Sequence, residues 1–303
     1  MSDIISKEQN ASPFGKDVVT YNVSPQLIND FYDYNAIDMP PEMDLAPNQG
    51  IVLKSHSNSA LGIANRQADQ IVGVDPEISY YGIRGRNKEQ IILLNILANP
   101  DIRCVLVTGP AGVGKSLVVG SYALDQVTGK HKSFEKMILS KPLEIVTSTR
   151  FWGTVPGAED EKFSPFLKSF QIMFEDLVSK KGKNYIQTMI DNNVIDFMPL
   201  ELARGTSLKE AICWYDEGQN LTYHEMETLG SRIDDQGHSK LIVTGDLNQR
   251  DRDIMKQRTG MWKLATSPFF INSPHTAHLH LTQIERGEIA ELFFNVFDDE
   301  RED

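Results

Sequence analysis

The chain has 303 residues, of which 40% are hydrophobic and 24% charged, the proportions of an ordinary soluble globular protein. A total of 30 Lys and Arg against 42 Asp and Glu leaves a formal charge of −12, which argues against a general, sequence-independent grip on phosphate backbones but leaves room for a local basic channel. No apolar run approaches the ~20 residues of a membrane span. The opening MSDIISKEQNASPFGKD lacks the basic start and apolar centre of a secretory signal, so no membrane association and a cytoplasmic location are expected. Cys104 and Cys213 are the two cysteines; both sit in apolar runs and read as buried, reduced thiols rather than as a disulfide framework.

Residues 1–50 show no sustained period and read as an irregular arm, with one short helix near PQLINDFY. The following GIVLKSHSNSALGIANRQADQIVGV reads as one or two short strands with polar turns, so residues 1–80 are expected to form an arm and a small β-rich element. From RNKEQIILLNILAN the texture changes, with apolar residues at helical spacing (Ile91, Leu94, Ile96, Leu97). Short apolar runs follow at RCVLVT, KMILS, AICWY and KLIVT, alternating with helical patterns such as KSLVVGSYALDQV and TYHEMETLGSRI. Near the end, AHLHLT reads as a strand and RGEIAELFFNVF as an amphipathic helix. Continuous apolar strands alternating with helices predict an α/β fold over residues 81–303, a parallel sheet with helices on both faces.

The strongest motif is RCVLVTGPAGVGKSLVV. Gly109, Gly112, Gly114, Lys115 and Ser116 satisfy the P-loop pattern, with an apolar strand before it and a helix after it. Glycines let successive backbone N–H groups point at phosphate oxygens, and the helix offers its positive end to the same anion. Gly109, Pro110, Ala111, Gly112, Val113 and Gly114, with Lys115, Ser116 and Leu117 opening the helix, therefore form the predicted ATP-binding segment. Lys115 would reach the β- and γ-phosphates, and the Ser116 hydroxyl would ligate Mg²⁺.

AICWYDEGQN ends an apolar run in two adjacent acids. By itself this is a strand running into a solvated turn. Beside a P-loop, Asp216 fits the carboxylate needed near Mg²⁺, and Glu217 fits the group that orients and deprotonates the attacking water. Adjacent residues of a strand point to opposite faces, so both acids serve one site only if the chain turns there. KLIVTGDLNQRD supplies a further strand end, with Asp246 and Gln249 beyond Gly245; the Gln249 amide is a candidate sensor of the γ-phosphate, although Gly-Asp is also an ordinary turn.

Together, RNKEQ, GPAGVGKS, GTVPG, RGTSL, DEGQN, GDLNQRD and IERG, in this order, resemble the PhoH-like ATPases, relatives of the superfamily one helicase motor core. The resemblance runs from about Arg86 to the end, about two-thirds of the chain, and implies a RecA/helicase-like P-loop NTPase fold in a bacterial or phage-infected cell. It implies an adenine-reading role for Gln90 and a γ-phosphate-reaching role for Arg232 or Arg286, one of them an arginine finger. Lys141 stands where an Arg is common in the family; it keeps the charge needed near a nucleic-acid phosphate but loses the planar fork. Many longer relatives carry a PIN-type nuclease domain. Residues 1–80 are shorter than such a domain and lack its acidic cluster, so no nuclease activity is expected.

Only 54 residues follow Gln249, too few for a second doubly wound sheet. ATP would then be covered on one side, and a neighbouring copy is the natural source of a completing arginine. A head-to-tail interface that closes makes a ring, and the resemblance suggests a hexamer; a slow monomeric ATPase is the alternative. Arg150, Phe151 and Trp152 combine a cation with aromatic rings, which suits stacking on single-stranded RNA or DNA, and Lys162, Lys168, Lys180, Lys181 and Lys183 lie near them in sequence; the same residues would equally serve to pack a loop and line a solvated helix end. His275, His278 and His280 lack a neighbouring acid or Cys that would complete a zinc set. A P-loop kinase and a nucleotide-gated assembly module remain alternatives to the ATPase motor.

Overall fold

The computed structural model describes residues 4–8, 16–56, 58–141, 159–182, 184–197, 208–234, 238–248 and 259–285. The first element group is β1 (Ile4–Glu8), β2 (Val19–Val23), α1 (Pro25–Tyr34), β3 (Ala36–Asp38), β4 (Gly50–Ser55), β5 (Asn58–Ala64) and β6 (Gln70–Gly73). Its strands make a six-stranded sheet in the order β1-β2-β4-β5-β6-β3, in which β2 and β4 are parallel and the other pairs antiparallel. The expected short helix is α1. Ser24 caps it by accepting the Leu27 N–H, Pro25 opens it, and Asn35 closes it in the left-handed region. The irregular arm expected over residues 1–50 is instead half of this sheet. Its strands are short and pair with partners far along the chain, so no local period announces them. Val19, Tyr21 and Val23 alternate inward and pack with Leu27, Ile28 and Phe31 of α1.

A small hairpin, β7 (Ser79–Tyr80) and β8 (Ile83–Arg84), leads into α2 (Lys88–Ala98), β9 (Cys104–Thr108), α3 (Lys115–Thr128), β10 (Lys136–Ser140), α4 (Glu159–Leu177), α5 (Tyr185–Asp191), β11 (Ile195–Phe197), β12 (Ala211–Tyr215), α6 (Tyr223–Gly230), β13 (Lys240–Gly245), α7 (Gly260–Thr266), α8 (Pro268–Ile271) and β14 (Thr276–His280). Strands β11-β10-β12-β13-β9-β14 form a second six-stranded sheet in which every pairing is parallel. Val105, Val107, Ile212, Trp214 and Ile242 pack with α2, α3 and α4 on one face. Leu106, Cys213, Tyr215, Leu241 and Val243 pack with α6, α7 and α8 on the other. Alternate residues of the same strand thus enter opposite cores, which is why these strands read as unbroken apolar runs. This is the P-loop NTPase α/β fold.

The outer edge of β14 is covered by the N-terminal unit. Lys16, fully buried, donates from Nζ to Thr276 O (2.6 Å) and Ser273 O (3.0 Å). Asn48 Nδ2 donates to Pro274 O (2.9 Å) and Thr276 O (3.0 Å). Side-chain donors here satisfy carbonyls at a sheet edge that no further strand pairs. Cys104 and Cys213 are both free thiols, and burial pushes each up to about 12. Among the described residues no helix is long and apolar enough to cross a membrane.

Candidate functional site

Register places the chemistry. Thr108 of β9 lies opposite Gly245 of β13, Val243 opposite Tyr215 of β12, and Tyr215 opposite Ser140 of β10. Four parallel strands therefore end along one edge, and the residues that follow them, Gly109, Asp246, Asp216 and Lys141, gather there. Ligand sites of open parallel sheets lie at the carboxyl ends of their strands for this reason.

The loop between β9 and α3 turns on glycine. Gly109 has φ 142°, and a Cβ there would meet Leu281 O at 2.2 Å. Gly114 has φ 87° and caps α3 from the left-handed region. Lys115 Nζ donates to Gly109 O (2.6 Å) and Pro110 O (2.8 Å), so the ammonium lies over its own loop. The segment 282–285 braces the loop from outside. Glu285 N–H donates to Gly112 O (3.2 Å), and Glu89 accepts from Thr282 N–H (2.7 Å) and Oγ1 (2.6 Å).

A cavity of about 640 Å³ opens in front of this loop. Gly112, Gly114, Lys115, Ser116 and Leu117 form one wall; Asp216, Glu217, Gly245 and Asp246 form another; residues 82–86 and Glu285 close a third. Its size is that of a nucleotide-class pocket.

The chain does turn at the acid pair. Glu217 has φ 59° and begins a 3-10 turn, Gly218–Asn220, so its carboxylate and that of Asp216 face one cavity rather than opposite faces of the sheet. Asp216 N–H donates to Ser140 O (2.9 Å), and Thr244 Oγ1 donates to Asp216 Oδ1 (2.6 Å), with Trp214 Nε1 donating to Thr244 Oγ1 (2.8 Å). Burial raises the Asp216 pKa and the Glu217 charge adds to this, whereas the Thr244 hydrogen bond and Lys141 oppose it. Glu217 Oε2 accepts from Gln219 Nε2 (2.6 Å), and Gln219 Oε1 accepts the Asp246 N–H (3.1 Å). One amide side chain thus ties the β12 end to the β13 end. Asp246 is 4% exposed, and its Oδ2 has no hydrogen-bond partner among the described residues.

Several expected residues lie elsewhere or do other work. Gln90 is 4% exposed and ties the loop to α2: its Nε2 donates to Val113 O (3.0 Å), and its Oε1 accepts the Arg86 N–H (3.0 Å). Both ends of the amide that would read a base are engaged by backbone. Lys141 Nζ stands 3.9 Å from Glu217 Oε1, at the acid pair. Arg232 is not brought to this cavity. It lies near the opposite end of the sheet, where its carbonyl accepts the Leu208 N–H ahead of β12 and its Nε is buried without a hydrogen-bond partner among the described residues. Gln249, Arg286, Arg150, Phe151 and Trp152 fall outside the described residues, as does Lys183, whereas Lys162 belongs to α4. Glu285, the residue before Arg286, lines the cavity.

Sequence reasoning missed Thr244, Gln219 and the wall formed by Arg84 and Arg86. Gln219 lies within DEGQN and Arg86 opens RNKEQ, but only the fold shows what either touches. His278 and His280 do share a strand face: both rings bond Thr108 Oγ1. An acid, Asp17, does approach His278, yet no group of three His, Cys, Asp or Glu among the described residues is arranged to hold a metal.

The chain is 30% identical over 269 residues to protein PhoH2 of Thermobispora bispora, covering 88% of this chain and 59% of that protein. It is 29% identical over 279 residues to protein PhoH2 of Bacillus subtilis, covering 89% and 61%, and 26% identical over 171 residues to protein PhoH of Escherichia coli, covering 56% and 45%. It therefore spans about three-fifths of the length of the PhoH2 proteins it matches. Among solved structures, Pif1 helicase from Candida albicans aligns with a TM-score of 0.39 at 15% identity, over 72% of this chain and 44% of that one. The family model described as PhoH-like protein matches residues 82–298, which take in the whole strand-end cavity and the parallel sheet behind it, and by that match the chain belongs to the PhoH-like family.

Proposed function

We propose that this chain is a Mg²⁺-dependent ATPase that works as a homo-oligomeric ring, a hexamer, in the cytoplasm and couples hydrolysis to single-stranded RNA or DNA. In this reading residues 81–303 are the motor and residues 1–80 an accessory unit. The observation that carries it is one cavity in which Ala111, Gly112, Gly114, Lys115 and Ser116 face Asp216, Glu217 and Asp246 across the strand ends.

A hydroxyl and a buried carboxylate are hard oxygen donors and would suit Mg²⁺. The burial-raised Asp216 fits this: a carboxylate poorly compensated by the protein is one that a cation would compensate. Ser116 and Asp216 would hold the ion, and its chemistry is to neutralise charge on the β- and γ-phosphates. The protein's own part begins with Lys115, which leaves the Gly109 and Pro110 carbonyls for the phosphates. Glu217 takes the proton of the attacking water as its oxygen bonds to the γ-phosphorus and the bond to the β–γ bridging oxygen breaks. Gln219 keeps the Glu217 carboxylate aimed. Asp246 supplies a further carboxylate beside the phosphates, and Gln249, three residues on, is the proposed γ-phosphate sensor. Arg286 follows a cavity-lining residue and is the candidate finger within the chain; Arg232, from the opposite end of the sheet, would serve a neighbour's nucleotide. Arg150, Phe151 and Trp152 are the proposed contacts to a single strand, with Lys141 linking that region to Glu217.

Phosphate release from Mg-ATP, measured with and without single-stranded RNA or DNA, tests the reading. Stimulation by either strand is expected. Release that begins only when a small-molecule acceptor is added would replace it with a kinase, and slow, unstimulated release with an assembly module. Lys115→Ala should lose nucleotide binding, whereas Glu217→Gln should keep binding and lose turnover by at least about a hundredfold. Normal hydrolysis by Glu217→Gln would remove Glu217 from its role.

A further inference from the structure

Beneath the phosphate loop runs a buried chain of polar side chains that the proposed hydrolysis does not use. Thr108, the residue before Gly109, is fully buried. Its Oγ1 lies 2.8 Å from His278 Nε2 and 2.8 Å from His280 Nδ1. His278, 1% exposed, presents its other nitrogen, Nδ1, 3.3 Å from Asp17 Oδ1. Asp17 belongs to the N-terminal unit, is 6% exposed, and also takes a hydrogen bond from the His280 backbone. Asp17 meets His278 Nδ1 as a close approach rather than a hydrogen bond, so the N-terminal unit touches β14 through this contact and the His280 N–H, and β14 touches the root of the phosphate loop through Thr108.

The chemistry of the path is restrictive. A hydroxyl has one proton, so Thr108 donates to one imidazole and accepts from the other. With the proton on His278 Nδ1, Nε2 accepts from Thr108, and Thr108 accepts the His280 Nδ1–H; with the proton on Nε2 both bonds reverse. Burial pushes Asp17 up to about 8 and His278 down to about 3, so the interior favours neutral forms of both. In either direction Thr108 Oγ1 is held from two sides. The Thr108 carbonyl is held as well, accepting the Leu281 N–H at 2.8 Å. The next peptide carries the Gly109 carbonyl to which Lys115 bonds. At the far end the His280 ring feels Asp246 and Lys115, both in the nucleotide cavity.

We propose that Asp17, His278 and Thr108 are positioning residues for the phosphate loop, through which the N-terminal unit sets the geometry that Gly109–Gly114 presents to a nucleotide. The proposal rests on the nucleotide-binding reading of the cavity. The test is affinity of the full chain for a fluorescent ATP analogue with Mg²⁺, read beside thermal unfolding. Thr108→Val, close to isosteric, should weaken binding about tenfold, the worth of one buried hydrogen bond, and Thr108→Ser should restore it to within about twofold. Asp17→Asn should weaken binding as well, and the double variant Asp17→Asn/Thr108→Val should bind no worse than Thr108→Val alone, because both cut one path. Asn48→Ala loosens the same interface without touching the path and should leave affinity unchanged. Wild-type affinity in Thr108→Val, strictly additive losses, or an equal loss in Asn48→Ala would overturn the proposal. A wild-type chain that binds no nucleotide would instead overturn the reading beneath it, and the proposal with it.

Discussion

Lys240 shows how one residue can be fully legible as a type and misleading as a position. It opens β13, yet its side chain is 1% exposed; Nζ donates to the carbonyls of Leu97 and Asn99 at the end of α2 and lies over the Tyr122 ring. Burial, aided by the Arg103 charge, lowers it to about 7 from the ordinary 10.5. A lowered folded-state value means that the unfolded chain binds more protons between those limits, so this group's contribution to stability is present above pH 10.5 and is lost as pH falls toward 7. The melting temperature of the wild type minus that of Lys240→Met should therefore grow as pH rises from 7 toward 10. A pH-independent difference would show that the ammonium is solvated. Gln90 likewise combines two settings at the site: it lines the cavity while its amide bonds the Val113 carbonyl and the Arg86 N–H.

Among the elements, α6 joins local sequence to the strand-end cavity. Thr222 accepts the Glu225 N–H, and the Glu225 carboxylate accepts the Thr222 N–H (2.8 Å), a complete capping box written in the sequence as T-x-x-E. This helix begins directly after the turn that aims Glu217, so its start fixes where that turn ends. Thr222→Ala should cost about 1 kcal/mol of stability, measured as a lower urea midpoint at unchanged slope. A changed slope would mean that the cap also governs how much of the chain is folded. The strand ends were readable for a related reason. The runs RCVLVT, AICWY and KLIVT stop at Gly or Asp, and the P-loop pattern combines a conformational need with a chemical one. Strands β1, β2 and β3 escaped notice because a three- to five-residue strand pairing with a distant partner leaves little local trace.

For the whole molecule, the question is what completes the site. The cavity is walled by one sheet edge and residues 82–86, and Arg232 stands toward the opposite end of the sheet. Head-to-tail contact between copies would bring one chain's far edge to the next chain's cavity. Sedimentation velocity with Mg-ATP should then show a closed hexamer, and a monomer at every protein concentration would remove the ring. Sequence alone determined the P-loop, the adjacent acids that end β12, and the alternation of strands and helices, because each is set by residues within a few positions of one another. The tertiary structure decided the rest: that Asp216, Glu217 and Asp246 share one edge, that Arg232 does not, and that Asp17, near the N-terminus, lies against His278 of β14. Those facts depend on register and on strand order, which bring together residues up to about 260 positions apart, and no local pattern encodes a pairing between segments that distant.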